Sequence, residues 1–103
     1  MNPTYDLGQI RTLIACGAYY ITVAAANDAA QLGMDEEDIV ECVGNCLNES
    51  HFYKTMQAEK MPGLWQDVYK IAHQGFRLYV KLQVNAAQKA VVISFKEDTS
   101  VIW

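Results

Sequence analysis

The hydrophobic period of this chain changes near residue 51. Before that point the apolar positions recur at helical spacing. In "TYDLGQIRTLIACG", Leu7, Ile10 and Ile14 share one helix face, with Asp6 as a cap and Gly17 as a stop. "AYYI" reads as a short β-prone link. "TVAAANDAAQLG" is alanine-rich and ends at Gly33, which predicts a second helix. "MDEEDIVECVGNCLNES" predicts a third, with Ile39, Val43, Cys46 and Leu47 as its apolar stripe. The acids from Asp35 to Asp38 crowd its first turn, where the helix dipole favours negative charge. The competing reading of that run is a docking surface for a basic partner.

From residue 51 the period is two. "FRLYVKLQV" sends Phe76, Leu78, Val80, Leu82 and Val84 one way and Arg77, Tyr79, Lys81 and Gln83 the other. "AVVISFKE" is rich in β-branched residues, and "NAAQ" before it is short enough for a hairpin. "HFYKTMQ" and "LWQDVYKIA" predict two more strands, separated by "AEKMPG", where Pro62-Gly63 marks a turn. "HQG" joins the latter to "FRLYV". The expected architecture is α+β: three N-terminal helices on one face of a four-stranded, or slightly larger, antiparallel sheet. A chain of 103 residues corresponds to one domain, with a helical half (1–50), a sheet (51–98) and a tail (99–103).

Strand parity places side chains. With Val84 opposite Lys89 across "NAAQ", Tyr79 lies opposite Ser94 and Arg77 opposite Lys96. With "QG" as a two-residue turn, His73 meets Phe76, Lys70 meets Tyr79 and Gln66 meets Gln83. One face then carries Gln66, Lys70, Arg77, Tyr79, Lys81, Ser94 and Lys96. Trp65, Asp67 and Tyr69 fall on the other, covered face, where Asp67 requires a partner such as a backbone donor or a lysine. Several cations with a tyrosine and an amide suit a phosphodiester strand, since cations meet phosphates and an aromatic ring stacks on bases. The competing reading is an ordinary solvated face of an antiparallel sheet.

Composition narrows the class. The chain is 51% hydrophobic and 19% charged, which describes a globular protein. No apolar run approaches the roughly 18 residues of a membrane span, and "MNPTYDLGQIR" lacks the basic start and apolar stretch of a signal peptide. The expected compartment is the cytoplasm, which suits three cysteines, an odd number. Cys42 and Cys46 face the same way on the third helix near His51, but no second Cys or His pair follows at ligand spacing, so core packing is expected rather than metal. His51 and His73 are isolated. No Gly-rich phosphate loop, carboxylate pair or Ser-His-Asp pattern is present, and no cofactor is implied. The net charge of −4 hides an asymmetry: residues 1–50 hold eight acids against Arg11 alone, whereas residues 51–103 hold seven cations against four acids. An anionic partner would prefer the second half.

The sheet half, read whole, resembles a known family. "ESHFYKTM", "WQDVY", "YVKLQV" and "VVISFKE", in order over residues 49–98, are similar to the strand motifs of the MqsR toxins, the motility quorum-sensing regulators. The resemblance implies a RelE-like fold and a type II toxin–antitoxin ribonuclease. Such a protein cuts single-stranded mRNA without the ribosome, at short GC-containing sites, and is neutralised by an MqsA-like antitoxin. Carried onto matching positions, it implies Lys54, Gln66, Tyr79 and Lys96 as the active residues. Lys70, Arg77 and Lys81 join them as RNA-binding candidates from the polar face.

Metal-free RNA cleavage needs a base for the 2′-hydroxyl, charge stabilisation at phosphorus and a donor for the leaving oxygen. Lysine and tyrosine titrate near pH 10, and clustered cations push one lysine downward. The expected division gives Lys54 and Lys96 the phosphate, Tyr79 orientation or a proton, and Gln66 the positioning of phosphate or base. Two features depart from the family pattern: the acidic balance, and the tail "DTSVIW" beyond "SFKE". They leave a second expectation open, a non-catalytic interaction domain on the same fold.

Overall fold

The computed structural model describes residues 1–100; the expected tail therefore lies partly outside the described residues. Helix α1 (Leu7–Ala15) starts where the Asp6 carboxylate accepts the Gly8 N–H at 2.9 Å. It ends before Gly17, whose φ of 80° suits a residue without a side chain. Helix α2 (Val23–Gln31) is capped by the Thr22 hydroxyl, and α3 (Glu36–Glu41) by a reciprocal box between Asp35 and Asp38. The acid run thus has a structural use. Asp38 also accepts from the Gln74 side chain at 3.0 Å, which with the Asp35 N–H holds its pKa below the ordinary value.

The third helix does not continue as one regular stripe. The α-helix ends at Glu41 and a wide π-helical turn, Cys42–Cys46, follows. Gly44 in this turn lies against α1: a Cβ there would meet the Ile14 Cγ2 at 3.3 Å. The widened turn carries Cys42 and Val43 into the core. Burial pushes the Cys42 thiol up to about 12, so it behaves as a small hydrophobe.

Strands β2 (Phe52–Ala58), β3 (Met61–His73), β4 (Phe76–Val84) and β5 (Ala90–Glu97) form the expected antiparallel meander. The "AYYI" link is itself a strand, β1 (Tyr19–Ile21), paired in parallel with β5, so the sheet is mixed and five-stranded, in the order β1-β5-β4-β3-β2. A three-residue strand has too few positions to show a period, and its partner lies some seventy residues away. The hairpin between β2 and β3 also differs from expectation. It turns at Glu59-Lys60, and Pro62-Gly63 lies inside β3, where the register slips and Gly63 has a φ of 94°. A proline tolerated at an irregularity near an open sheet edge explains the difference.

All three helices pack on one face. Ile10, Ile14, Ala25, Ala29, Ile39 and Leu47 meet Tyr69, Leu78, Val80, Leu82 and Phe95 from the sheet. Asp67 lies on this face and is fully buried; its two oxygens accept the Thr4 and Tyr5 N–H groups at 2.9 and 2.8 Å. The partner expected for Asp67 is therefore a pair of backbone donors, which tie the N-terminal segment to β3. No helix among the described residues is long and apolar enough to cross a membrane.

Candidate nucleic-acid interface

The sheet face away from the helices carries the cations, and register decides how they meet. Between β3 and β4 the pairing is as expected, with His73 opposite Phe76 and Lys70 opposite Tyr79. Between β4 and β5 it is not. Val84 pairs with Ala90 instead of Lys89, and a bulge at Ile93 adds a second slip in the same direction. Tyr79 consequently faces Lys96 rather than Ser94, and Lys81 faces Ser94. Arg77 is not opposite Lys96; it stays on the same face one row toward the turn, and its carbonyl accepts the Asp98 N–H at 2.8 Å. Two one-residue slips restore the parity that either alone would invert.

The result is two rows across the sheet. One runs Lys70, Tyr79, Lys96 across β3, β4 and β5. The other runs Lys54, Val68, Lys81, Ser94 across β2 to β5. Lys54 reaches this face because β2 carries a bulge: Phe52 pairs with Tyr69 on the core side, one residue is skipped, and Lys54 pairs with Val68. The skipped residue is Tyr53, which strand parity overlooked. The residue is 52% exposed, and the Lys70 ammonium stands 4.1 Å from the centre of its ring. Only the neighbouring lysine hinted at it in sequence, because nothing local announces the bulge.

Tyr79 is flanked by cations. The ammonium groups of Lys96 and Lys81 stand 5.4 and 5.8 Å from its ring centre. Burial, then the charges of Asp98 and Tyr53, raise the Tyr79 pKa above its ordinary value, so its hydroxyl is a proton donor at neutral pH. Lys81 is shifted the other way. Burial and then the charge of Lys96 lower its pKa; Glu59 opposes them, and Lys54 adds a lesser lowering effect. Burial is the larger cause, and the clustered cations add to it in the direction expected for one lysine of the group.

Gln66 takes a different position from the one expected of a residue reaching toward RNA. It is 8% exposed, and its amide donates to the Gln83 carbonyl oxygen at 3.0 Å; Gln83 is 9% exposed. The two amides form the floor beside the lysine rows. At the other end Lys70 forms an ion pair with Asp98 at 3.0 Å. A pocket of about 490 Å³ lies there, lined by Tyr79, Lys96 and residues 97–100. Together these groups offer several positive charges, a neutral phenol and one lysine of reduced basicity around one patch of sheet.

Comparison with known proteins agrees with the motif order. The family described as motility quorum-sensing regulator, toxin of MqsA, matches residues 2–97. The mRNA interferase toxin MqsR of Escherichia coli (strain K12) is 32% identical over 96 residues, which cover 93% of this chain and 95% of the relative. The match takes in the helices as well as every strand of the lysine face. The chain belongs to the MqsR toxin family.

Proposed function

We propose that this protein is a metal-independent endoribonuclease, the toxin of a type II toxin–antitoxin pair, which cuts single-stranded mRNA in the cytoplasm without the ribosome and is held inactive by an MqsA-like antitoxin. The observation that carries the reading is the placement of Tyr79 between Lys96 and Lys81, with Lys54 in the adjoining row. Family membership and the printed name of the relative from Escherichia coli support the same reading.

The chemistry follows from the groups at hand. The 2′-hydroxyl attacks the adjacent phosphorus, the 5′-oxygen of the next nucleotide leaves, and a 2′,3′-cyclic phosphate remains. Lys54 and Lys96 take up the charge that grows on the non-bridging oxygens, in a setting where fixed cations act without reorganising. Lys81, with its lowered pKa, is the group of this cluster suited to accept the 2′-hydroxyl proton, and the protonated Tyr79 is suited to supply one to the leaving oxygen. The Gln66–Gln83 pair forms the polar floor on which the substrate rests, and Lys70 and Arg77 extend the cationic track.

The test uses purified protein and single-stranded RNA without ribosomes. Cleavage that persists in chelator and yields cyclic phosphate ends supports the reading. RNA left intact at low salt, where phosphate contacts are strongest, removes it. The net charge of −4 favours a second reading, a protein-interaction domain on the same fold. That reading requires intact RNA together with antitoxin binding.

A further inference from the structure

Beyond β5 the backbone stays on the sheet. The Asp98 N–H bonds to Arg77, which continues the ladder to β4 and turns the Asp98 side chain onto the lysine face. Among the described residues three donors hold its carboxylate there. The Lys70 ammonium lies 3.0 Å from Oδ2, the Ser100 N–H donates to Oδ1 at 3.0 Å, and the Ser100 hydroxyl lies 3.4 Å from Oδ2. Lys70 also donates to the Ser100 hydroxyl at 3.2 Å. An ammonium, a backbone N–H and a hydroxyl converging on two anionic oxygens form the donor set that holds the non-bridging oxygens of a phosphodiester. This arrangement adjoins the pocket bounded by Tyr79 and Lys96. The stretch that matches the family ends at Glu97, one residue earlier.

We infer that Lys70 and Ser100 build a phosphate subsite of the RNA track, and that Asp98 fills it as an internal competitor which an RNA phosphodiester must displace. This inference rests on the RNA-cleaving reading and adds a brake to it. A carboxylate occupies the subsite with one negative charge, so incoming RNA exchanges one anion for another there and gains little from Lys70 until Asp98 swings away. In a chain whose net charge already opposes RNA, such a competitor sets affinity low and makes it adjustable.

The experiment compares the full chain with its Asp98→Asn variant. The probe is a short single-stranded RNA with 2′-O-methyl sugars, which cannot be cleaved, and binding is read by fluorescence anisotropy over a salt series. The expected result is binding about tenfold tighter in Asp98→Asn at low salt, with a log–log salt slope steeper by about 0.7, the value for one more phosphate neutralised on a single strand. The gain should vanish when Lys70→Ala is added. Asp98→Ser, which keeps an oxygen acceptor for the Ser100 N–H, repeats the comparison if the asparagine variant folds poorly. If the wild-type chain binds the RNA and these variants bind it equally or more weakly, the competitor is ruled out while the RNA reading stands. If neither wild type nor variant binds at low salt, the RNA reading itself falls, and the subsite with it.

Discussion

The Gln66 amide donates to the Gln83 carbonyl across β3 and β4, with both side chains almost wholly buried. Each residue therefore holds the other in place, and removing one leaves a buried polar group without its partner. Gln66→Ala is expected to lower stability by about 1–3 kcal/mol, besides slowing cleavage. Gln83→Ala should lower both in parallel, and the double variant should be little worse than either single one. Urea unfolding and single-turnover cleavage on the four chains check this; fully additive losses would show that the two amides act apart.

Lys96→Ala and Lys54→Ala are predicted to behave differently from the glutamines. Lys96 is exposed and Lys54 only partly buried, so their loss should leave unfolding within roughly 0.5–1 kcal/mol of the parent. Cleavage should fall by about 10²–10³, the usual effect of deleting one group that stabilises transition-state charge. Full activity in Lys96→Ala would remove that residue from the site.

Lys81 and Tyr79 set the pH behaviour. Lys81 is lowered from 10.5, so the folded chain releases its proton before the unfolded chain does. The unfolded state binds more protons in that window, and stability rises with pH up to about 10.5. Tyr79 is raised from 10.0, so its contribution is intact below pH 10 and is lost as pH climbs through its higher folded value. For cleavage the expected result is a rate that climbs with pH through a range below 10.5, the ordinary lysine value, as Lys81 deprotonates. Lys81→Arg, with a permanently charged side chain, should abolish that rise. A wild-type rate that is flat across this range would exclude Lys81 as the base.

Asp67→Ala should be costly for a reason unrelated to RNA. The carboxylate holds the Thr4 and Tyr5 N–H groups, and the Tyr5 hydroxyl donates to the Trp65 carbonyl nearby at 2.6 Å. Losing two charge-assisted bonds is expected to cost about 3 kcal/mol and to release the segment before α1. Hydrogen exchange should speed up at Thr4 and Tyr5 well before it changes at Val80. Equal protection of Thr4 and Tyr5 in parent and variant would contradict the assignment.

The sequence made the helices visible through their caps and small stops, and the strands through side chains alternating at period two. Asp67 was recognisable as a covered acid in need of a partner, although the partner, a backbone segment some sixty residues earlier, was not. The hidden features share one physical origin: they depend on counting residues across a pairing, which no single strand encodes. The slips in β5 placed Lys96 opposite Tyr79, the bulge in β2 turned Lys54 outward, and β1 paired with a strand far along the chain. The resemblance pointed to Lys54 where parity could not, because a motif preserves the bulge without explaining it. Parity put Gln66 on the polar face, whereas its burial depends on Gln83 beside it, across a pairing that one strand does not encode.

The extra residue in β2 gives the site a weakness that substitution cannot expose. Phe52 faces the core and Lys54 faces the lysine rows only because Tyr53 is looped out between their partners on β3. Were Tyr53 instead to take a place in the ladder opposite Val68, Lys54 would fall opposite Asp67 and turn from the open cationic patch toward the helices. Every amino acid assigned to the chemistry would still be present, and the chemistry would be gone. The register of β2 is therefore under the same selection as the lysine it delivers.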